Sequence, residues 1–238
     1  QKAFLSSTLY MGLGAGLALA YALICVWGTV SLGSGVFGRA HLRGDPSRPR
    51  VALTWDDGPD SHVTPALLDL LAERGVRATF FFVGERARLN PELVRRCARE
   101  GHGIGNHSDG HAALTNLFFG GRMDRELRAC QETLATLTGQ APRYYRPPMG
   151  LMNHAVAGAA AANHLQIVGW QVRSLDTSAR TAAEVIARVM KHIEPGGIVL
   201  LHDGQQDHER TLAIARGLLD GLAAKGLEPV RVDQLGVE

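Results

Sequence analysis

The chain has 238 residues, of which 45% are hydrophobic and 20% are charged, with a formal net charge of +2. This composition excludes a disordered chain, and the near-neutral balance gives no basic excess for nucleic-acid binding. Three cysteines without a C-x-x-C pair exclude a disulfide-built scaffold and a zinc knuckle.

The N-terminal part of the chain carries almost no charge. Residues 3–38 contain no Asp, Glu, Lys, Arg or His. As a helix this stretch would be roughly 54 Å long, whereas the hydrocarbon core of a bilayer is about 30 Å thick. We therefore predict a membrane anchor with a flexible exit over residues 1–38, embedded through residues 5–30, and a linker over residues 39–49. A cleaved signal peptide is the alternative, although its apolar region is usually shorter.

The orientation of this span is ambiguous from sequence. Only Lys2 precedes it, whereas four arginines follow between residues 39 and 50. The positive-inside rule would place the following domain in the cytoplasm, and residues upstream of Gln1 would change the count.

Strands and helices are predicted to alternate from residue 50 onward. Apolar runs of strand length occupy 51–55, 78–84, 103–106, 143–146, 166–172, 197–201 and 228–232. Helical patterns lie between these runs. Thr64 and Pro65 are predicted as the N-cap and first residue of a helix that ends at Gly75. The other patterns occupy Asn90-Pro91 to Gly101, 121–138, 153–164, the capping box Thr181-x-x-Glu184 to about Ile193, and 209–224. Seven strands joined by six helices predict a parallel sheet, either open and doubly wound or closed into a barrel. In both folds chemistry gathers at the carboxyl ends of the strands.

Polar clusters lie where the predicted strands end. They are Asp56-Asp57-Gly58-Pro59, His107-Ser108-Asp109-Gly110-His111, Arg146-Pro147-Pro148-Met149-Gly150, Asp176 and His202-Asp203. His107 and His111 are four residues apart, so both imidazoles can reach one ion. Two His and one carboxylate would leave open positions for water and substrate. Adjacent Asp56 and Asp57 point in different directions, so one can bind the ion while the other accepts a proton.

These motifs resemble those of the polysaccharide deacetylases of carbohydrate esterase family 4, the NodB homology domain. Thr54-Trp55-Asp56-Asp57-Gly58-Pro59 is similar to T-F-D-D-G-P, His107-Ser108-x-x-His111 to H-[ST]-x-x-H, Arg146-Pro147-Pro148-Met149-Gly150 to R-P-P-[YF]-G, and Leu200-Leu201-His202 to L-x-H. The similarity covers about residues 50–235. It implies an α/β fold, a distorted (β/α)7 parallel barrel of NodB type, as the catalytic domain over residues 50–238.

This sequence departs from the fourth family motif, D-x-x-D-W. The corresponding residues are Arg173-Ser174-Leu175-Asp176-Thr177, so only the second acid is kept. Met149 likewise replaces a flat aromatic residue with a flexible thioether. We expect these changes to affect substrate contacts more than the reaction.

The resemblance implies a role for each catalytic group. Asp57, His107 and His111 would hold one divalent metal ion, most often Zn2+, with Co2+, Fe2+ and Ni2+ as alternatives. Asp56 would be the general base, oriented and kept charged by Arg146. His202, paired with Asp176, would be the general acid.

The resemblance also implies substrate contacts. Leu200 would line the pocket for the acyl methyl group, and the Met149 N–H would bind the oxyanion. Trp170 ends a predicted strand and is expected either to line the groove or to pack in the core.

The predicted activity is metal-dependent hydrolysis of N-acetyl groups on amino sugars of an envelope glycan, peptidoglycan- or chitin-like, with release of acetate. The predicted partners are this N-acetylated glycan or glycolipid and the membrane, with the catalytic domain outside the bacterial inner membrane. One alternative is the same chemistry on a lipid-linked sugar, including deformylation. Another is a non-catalytic glycan-binding protein of the same fold, which the complete set of ligands, base and acid disfavours.

Overall fold

The computed structural model describes residues 2–112, 121–204 and 206–236, and only the backbone of residues 2–10. The first residue of the predicted anchor and the last two of the predicted catalytic domain lie outside this part of the chain.

A curled parallel sheet, a half-barrel, forms the centre of the molecule. Its strands are β1 Arg50–Asp56, β2 Thr79–Phe82, β3 Gly103–Asn106, β4 Tyr144–Tyr145, β5 Gln166–Ile167, β6 Val172–Arg173, β7 Ile198–His202 and β8 Glu228–Pro229. Their order is β5-β4-β3-β2-β1-β7-β6, and β8 pairs with the beginning of β1. The structure therefore confirms the predicted parallel α/β fold.

Helices connect and cover these strands. They are α1 Lys2–Val30, α2 Val63–Glu73, α3 Gly84–Leu89, α4 Pro91–Arg99, α5 Arg122–Thr138, α6 His154–Ala162, α7 Ala182–His192 and α8 His208–Ala224. Asn153, Thr181 and Asp207 accept backbone N–H groups at the first turns of α6, α7 and α8.

Several details differ from the sequence predictions, and the last predicted strand, 228–232, is a strand only over Glu228–Pro229. The apolar run 166–172 is two strands, because residues 168–171 cross between the two ends of the curled sheet. The prediction of Thr64 as an N-cap was wrong, since α2 already begins at Val63. The Thr64 hydroxyl instead donates to Asp203 Oδ2 at 2.6 Å. Helix α3 was not predicted, because its six residues are too few to show a helical period.

The alternation of side chains along β1 explains how a buried strand delivers a carboxylate. Val51, Leu53 and Trp55 pack in the main core beneath the helices. Ala52 belongs to a second apolar cluster, on the other face of the sheet. Because successive strand residues face opposite sides, Asp56 shares the face of Ala52 and stands at the carboxyl end of that row.

Helix α1 is long and apolar enough to cross a membrane. Its segment Met11–Val30 has a mean hydropathy of 1.9, and only 6% of it is buried. A signal sequence meets the same criteria of length and composition.

The chain after α1 packs along the open side of the half-barrel. The Thr29 carbonyl accepts the Met152 N–H at 3.0 Å, beside the loop that follows β4. Leu32 is buried in the cluster that contains Met152. His41 N–H then donates to the Ile167 carbonyl and Gly44 N–H to the Gly196 carbonyl, each at 2.8 Å. The segment therefore runs from the carboxyl edge of the sheet to its amino edge, where β1 begins.

We predict that Leu32 fixes this segment to the domain. Replacing a buried Leu with Ala removes apolar contacts and leaves a cavity, so Leu32→Ala should destabilise the protein by ~2 kcal/mol or more. Thermal unfolding of the full chain in detergent should show a Tm lower by about 4–8 °C. Leu17→Ala, at an exposed position of α1, is the control. An equal Tm for the two variants would show that Leu32 contributes nothing to the folded domain.

Candidate active site

The carboxyl ends of the strands meet around one pocket. Among the predicted site residues, its lining includes Asp56, Asp57, His107, His111, Met149, Trp170, Asp176, Leu200 and His202. Arg146 lies behind this lining and is fully buried. The structure thus brings all ten residues to one site.

A buried ion pair underlies the pocket. Arg146 Nη1 donates to Asp56 Oδ1 at 2.7 Å, and the two side chains are 0% and 4% exposed. A charge removed from water is tolerated only with a partner and further hydrogen bonds. The pair therefore holds the Asp56 carboxylate in one orientation at the floor of the pocket.

Arg146 also makes three further hydrogen bonds. Nη1 donates to Thr54 Oγ1 at 2.7 Å as well, Nε to the Val168 carbonyl at 3.2 Å and Nη2 to the Gly169 carbonyl at 2.8 Å. The guanidinium lies 4.2 Å from the centroid of the Phe81 ring. The planar, five-donor guanidinium fits this arrangement, which a lysine ammonium could not reproduce.

Three potential metal ligands converge at the mouth of the pocket. Asp57 Oδ1 lies 3.3 Å from His107 Nε2 and 3.0 Å from His111 Nε2. The three ligand atoms lie within 4.8 Å of one another. Burial opposes ionisation of Asp57, but the two imidazoles, when protonated, outweigh it by hydrogen bonding and charge and hold the pKa of Asp57 well below the usual range.

The tautomer of His107 favours a cation at this point. Its Nδ1 lies 2.7 Å from the Arg146 carbonyl oxygen, which can only accept, so Nδ1 carries the proton. In a neutral ring the Nε2 lone pair then faces the Asp57 carboxylate. A cation shared by these atoms removes the repulsion, and a backbone carbonyl on the other ring nitrogen is the usual support of a metal-binding histidine.

Loop geometry turns these ligands toward each other. Asp57 and His111 have positive φ angles of 72° and 49°. Asn106 ends β3 and supports the second loop, because its Oδ1 accepts the Ser108 N–H at 2.9 Å and its Nδ2 donates to the Leu127 carbonyl at 2.9 Å. The chain thus leaves β1 and β3 in sharp turns that place the ligand side chains over the sheet edge.

A second acid–base pair stands on β7 and the segment after β6. His202 Nδ1 lies 2.9 Å from Asp176 Oδ1, and the His202 N–H donates to Asp176 Oδ2 at 2.8 Å. Ser174 Oγ also donates to Asp176 Oδ1 at 2.9 Å. Burial lowers the pKa of His202, but the hydrogen bond and charge of Asp176 outweigh it and raise that pKa to about 9. His202 is therefore an imidazolium at neutral pH.

The predicted substrate-contact residues line the pocket with different exposures. Leu200 is buried, whereas Met149 is 62% exposed at the rim. Met149 has a φ of 58° within the short turn Pro148–Gly150. Trp170 is half-buried, and a Cβ on Gly150 would lie 2.4 Å from its ring, so residue 150 must be glycine to fit against it. Trp170 thus serves both the pocket wall and the core.

Sequence reasoning assigned no role to Asp203, which supports the loop that carries Asp57. It is fully buried, and a Cβ on Gly58 would lie 2.5 Å from its Oδ1. Burial and the charges of Asp57 and Asp56 raise the pKa of Asp203 to about 7, against the hydrogen bond from Thr64. In the sequence, only the position of Asp203 directly after His202 indicated that it lies at the site.

Known proteins share this fold and these motifs. The family model for polysaccharide deacetylases matches residues 43–168. The peptidoglycan-N-acetylglucosamine deacetylase PgdA of Listeria monocytogenes is 39% identical over 186 residues, which make up 78% of this chain and 38% of that protein. A chitooligosaccharide deacetylase of Bradyrhizobium sp. is 37% identical over 162 residues, or 68% of this chain and 74% of that protein.

A solved structure of a deacetylase has a fold similar to that of this chain. The Bc1960 peptidoglycan N-acetylglucosamine deacetylase, in complex with 4-naphthalen-1-yl-N-oxidanyl-benzamide, superposes with a TM-score of 0.78 at 32% identity. The match covers 83% of this chain and 92% of that one. The curled parallel sheet with its acidic and histidine-lined edge defines the class of NodB-type carbohydrate-active proteins. Within that class, the chain belongs to the polysaccharide deacetylase family.

We predict that Arg146→Met will destabilise the protein strongly, because it leaves the Asp56 carboxylate buried without a cation. Breaking a buried pair costs about 3–5 kcal/mol, measurable by denaturant unfolding of the full chain in detergent. The double variant Asp56→Asn/Arg146→Met should lose less than the sum of the two single variants.

Arg74→Met is the matched control for this prediction. Arg74 pairs with Asp220 at 2.6 Å, but this pair lies on the surface, where water screens the charges. Additive losses in the double variant, or an equal effect of Arg74→Met, would contradict the importance of the buried pair.

Proposed function

We propose that this chain is a metal-dependent hydrolase that removes N-acetyl groups from amino sugars of an envelope glycan, peptidoglycan- or chitin-like, and releases acetate. The observation that supports it is one pocket holding a carboxylate fixed by a buried arginine, an imidazolium fixed by an aspartate, and a group of three metal ligands. The names of the relatives agree with this reaction.

Asp57, His107 and His111 would hold the metal ion, and we propose Zn2+. Two imidazoles and one carboxylate suit zinc and leave positions open, as in catalytic rather than structural zinc sites. When bound, such an ion polarises a carbonyl oxygen and increases the acidity of water.

Asp56 would act as the general base. Its Oδ1 is occupied by Arg146, and its Oδ2 lies 3.8 Å from His107 Nε2, on the side of the metal ligands. Oδ2 can therefore accept a proton from water as the oxygen of that water attacks the acetyl carbonyl carbon. The arginine prevents the carboxylate from rotating away.

His202 would act as the general acid. Its Nδ1 is held by Asp176, so its Nε2 is left for the substrate and carries a proton in the imidazolium form. As the C–N bond of the acetamide breaks, the nitrogen takes this proton and leaves as an amine. The products are acetate and a free amino sugar.

The remaining pocket residues would position the acetamide. Leu200 would contact the acetyl methyl group, and Trp170 would pack against the sugar. The Met149 N–H would donate to the oxygen that becomes negative, a contact that typically contributes 10²–10³ to the rate.

We also propose that α1 is a single-pass anchor rather than a removed signal, with the catalytic domain outside the inner membrane. The last turn of α1 is hydrogen-bonded to the domain through Thr29 and Met152, and Leu32 is part of its core. A helix built into the folded domain in this way is poorly suited to cleavage.

The proposed roles predict that Asp56→Asn and His107→Ala will differ in metal content. Asp56→Asn should keep the bound metal but lose most acetate release, because only the proton acceptor is removed. His107→Ala should lose both, because a ligand is removed. Metal content by mass spectrometry and acetate release from chitin oligomers and peptidoglycan measure the two properties.

A non-catalytic glycan-binding role would produce a different result. Wild-type protein would then release no acetate from either substrate, and Asp56→Asn would behave as wild type. His154→Ala, which changes a histidine outside the pocket lining, is the matched control for metal content.

The pH dependence of kcat/KM should reflect the pKa of His202 in its pair with Asp176. His202 must be protonated to act as an acid, so activity should fall as pH rises through about 9. Asp176→Asn removes the charge that raises this pKa, so the alkaline limb of kcat/KM should move to lower pH and the maximal rate should fall. An unmoved alkaline limb in Asp176→Asn would contradict the assignment of His202.

A further inference from the structure

Arg173 adds a cation to the wall of the pocket that neither the metal ligands nor the acid–base pairs need. It lies on β6 opposite Leu200 of β7, and both residues line the pocket. Its side chain is exposed, and within the described residues its guanidinium forms no ion pair or hydrogen bond. An unpaired guanidinium in a substrate pocket is well suited to bind a carboxylate or phosphate.

The neighbouring residues leave this guanidinium accessible. Thr177 and Leu175, which also line the pocket, are exposed, and Thr177 is small. Asp176, the nearest acid in sequence, already accepts hydrogen bonds from His202, Ser174 and Thr177. In the part of the chain that the structure describes, Arg173 therefore pairs with no carboxylate.

The anchor helix joins the domain at the same edge as the pocket. The Met152 N–H that binds the Thr29 carbonyl lies three residues after Met149, no more than about 11 Å along the chain. The chain then descends to the amino edge before β1 begins, so α1 meets the catalytic edge and not the opposite one. Trp27 in its last turns is more than half exposed, as expected of an aromatic residue at a membrane interface.

Exposed apolar side chains lie on this rim of the pocket. Met149 is 62% exposed and Leu175 is 36% exposed. Large apolar groups at the mouth of a polar site suit a substrate that is itself partly apolar. With α1 as an anchor, these residues lie close to the bilayer surface.

On the basis of the proposed function, we infer that the substrate is an acetamido sugar joined through phosphate to a membrane lipid, and that Arg173 binds the phosphate. The lipid chain would remain in the bilayer beside α1, the phosphate would lie between bilayer and pocket, and the acetamido group would reach the metal ligands. Arg173 thus determines specificity and is not a catalytic residue.

The test uses the full chain in lipid nanodiscs with Zn2+ supplied, and acetate release from five substrates. Four are N-acetylglucosamine derivatives that combine a phosphate or a neutral glycosidic link with a long polyprenyl or a short alkyl chain. The fifth is chitotetraose. We expect the highest kcat/KM with the long-chain phosphate.

Arg173→Gln should lower kcat/KM for the phosphates by about tenfold or more, the usual effect of losing a charge-assisted hydrogen bond. The neutral substrates should respond by a smaller factor. Arg216→Gln changes an exposed arginine of α8 outside the pocket lining and should leave all five substrates unaffected.

Each result separates the parts of the inference. Equal rates on long- and short-chain phosphates would overturn the membrane lipid, and equal losses on charged and neutral substrates would overturn phosphate binding by Arg173. Acetate from chitotetraose but not from any phosphate would overturn the whole inference while leaving the proposed function intact. Acetate from none of the five would overturn the inference, and it would refute the proposed function as well if peptidoglycan also yields no acetate.

Discussion

The site depends on a guanidinium buried at the floor of the half-barrel. Arg146 is fully enclosed, and its donors are divided among one carboxylate, one hydroxyl and two backbone carbonyls. The two carbonyls belong to residues 168 and 169, where the chain crosses between the ends of the sheet. The same cation therefore holds the crossing segment and Asp56, so the position of the carboxylate is set by the closure of the fold.

Two carboxylate pairs divide the chemistry of the pocket. Asp56 is held by a cation that cannot give up its proton, which suits a proton acceptor. Asp176 is paired with His202, whose imidazolium can give up its proton. The hydrogen bond and charge of Asp176 raise the pKa of His202 to about 9. In the proposed mechanism, one carboxylate paired with an arginine would be the base, and the other carboxylate would make its histidine partner the acid. Pairing of this kind is a general way of obtaining an acid and a base at one pH. The proposed metal ligands stand beside Asp56, where attacking water would be deprotonated.

Much of this arrangement could be predicted from sequence, and the failures have physical causes. The strand-end rule grouped Asp56, His107 and His202 because parallel strands end at a common edge, whatever the exact bounds of each strand. Short elements escaped prediction: α3 has too few residues to show a period, and the run 166–172 reads as one strand although its middle residues leave the sheet. Asp203 escaped because its role, packing against Gly58 and accepting from Thr64, exists only when distant segments meet.

Substrate choice depends on residues that the motifs do not fix. The strand ends that carry the proposed metal ligands, base and acid match the family patterns, whereas Met149, Arg173 and Thr177 at the pocket rim depart from them. Hydrolysis of an acetamide needs only the strand-end residues, because the acetamide is the same in every N-acetylated glycan. We therefore propose that Met149, Arg173 and Thr177 recognise the group to which the sugar is attached. The proposed anchoring of α1 at this edge would limit substrate choice further, since an anchored pocket with an unpaired cation at its rim would meet anionic lipid headgroups before a distant polymer.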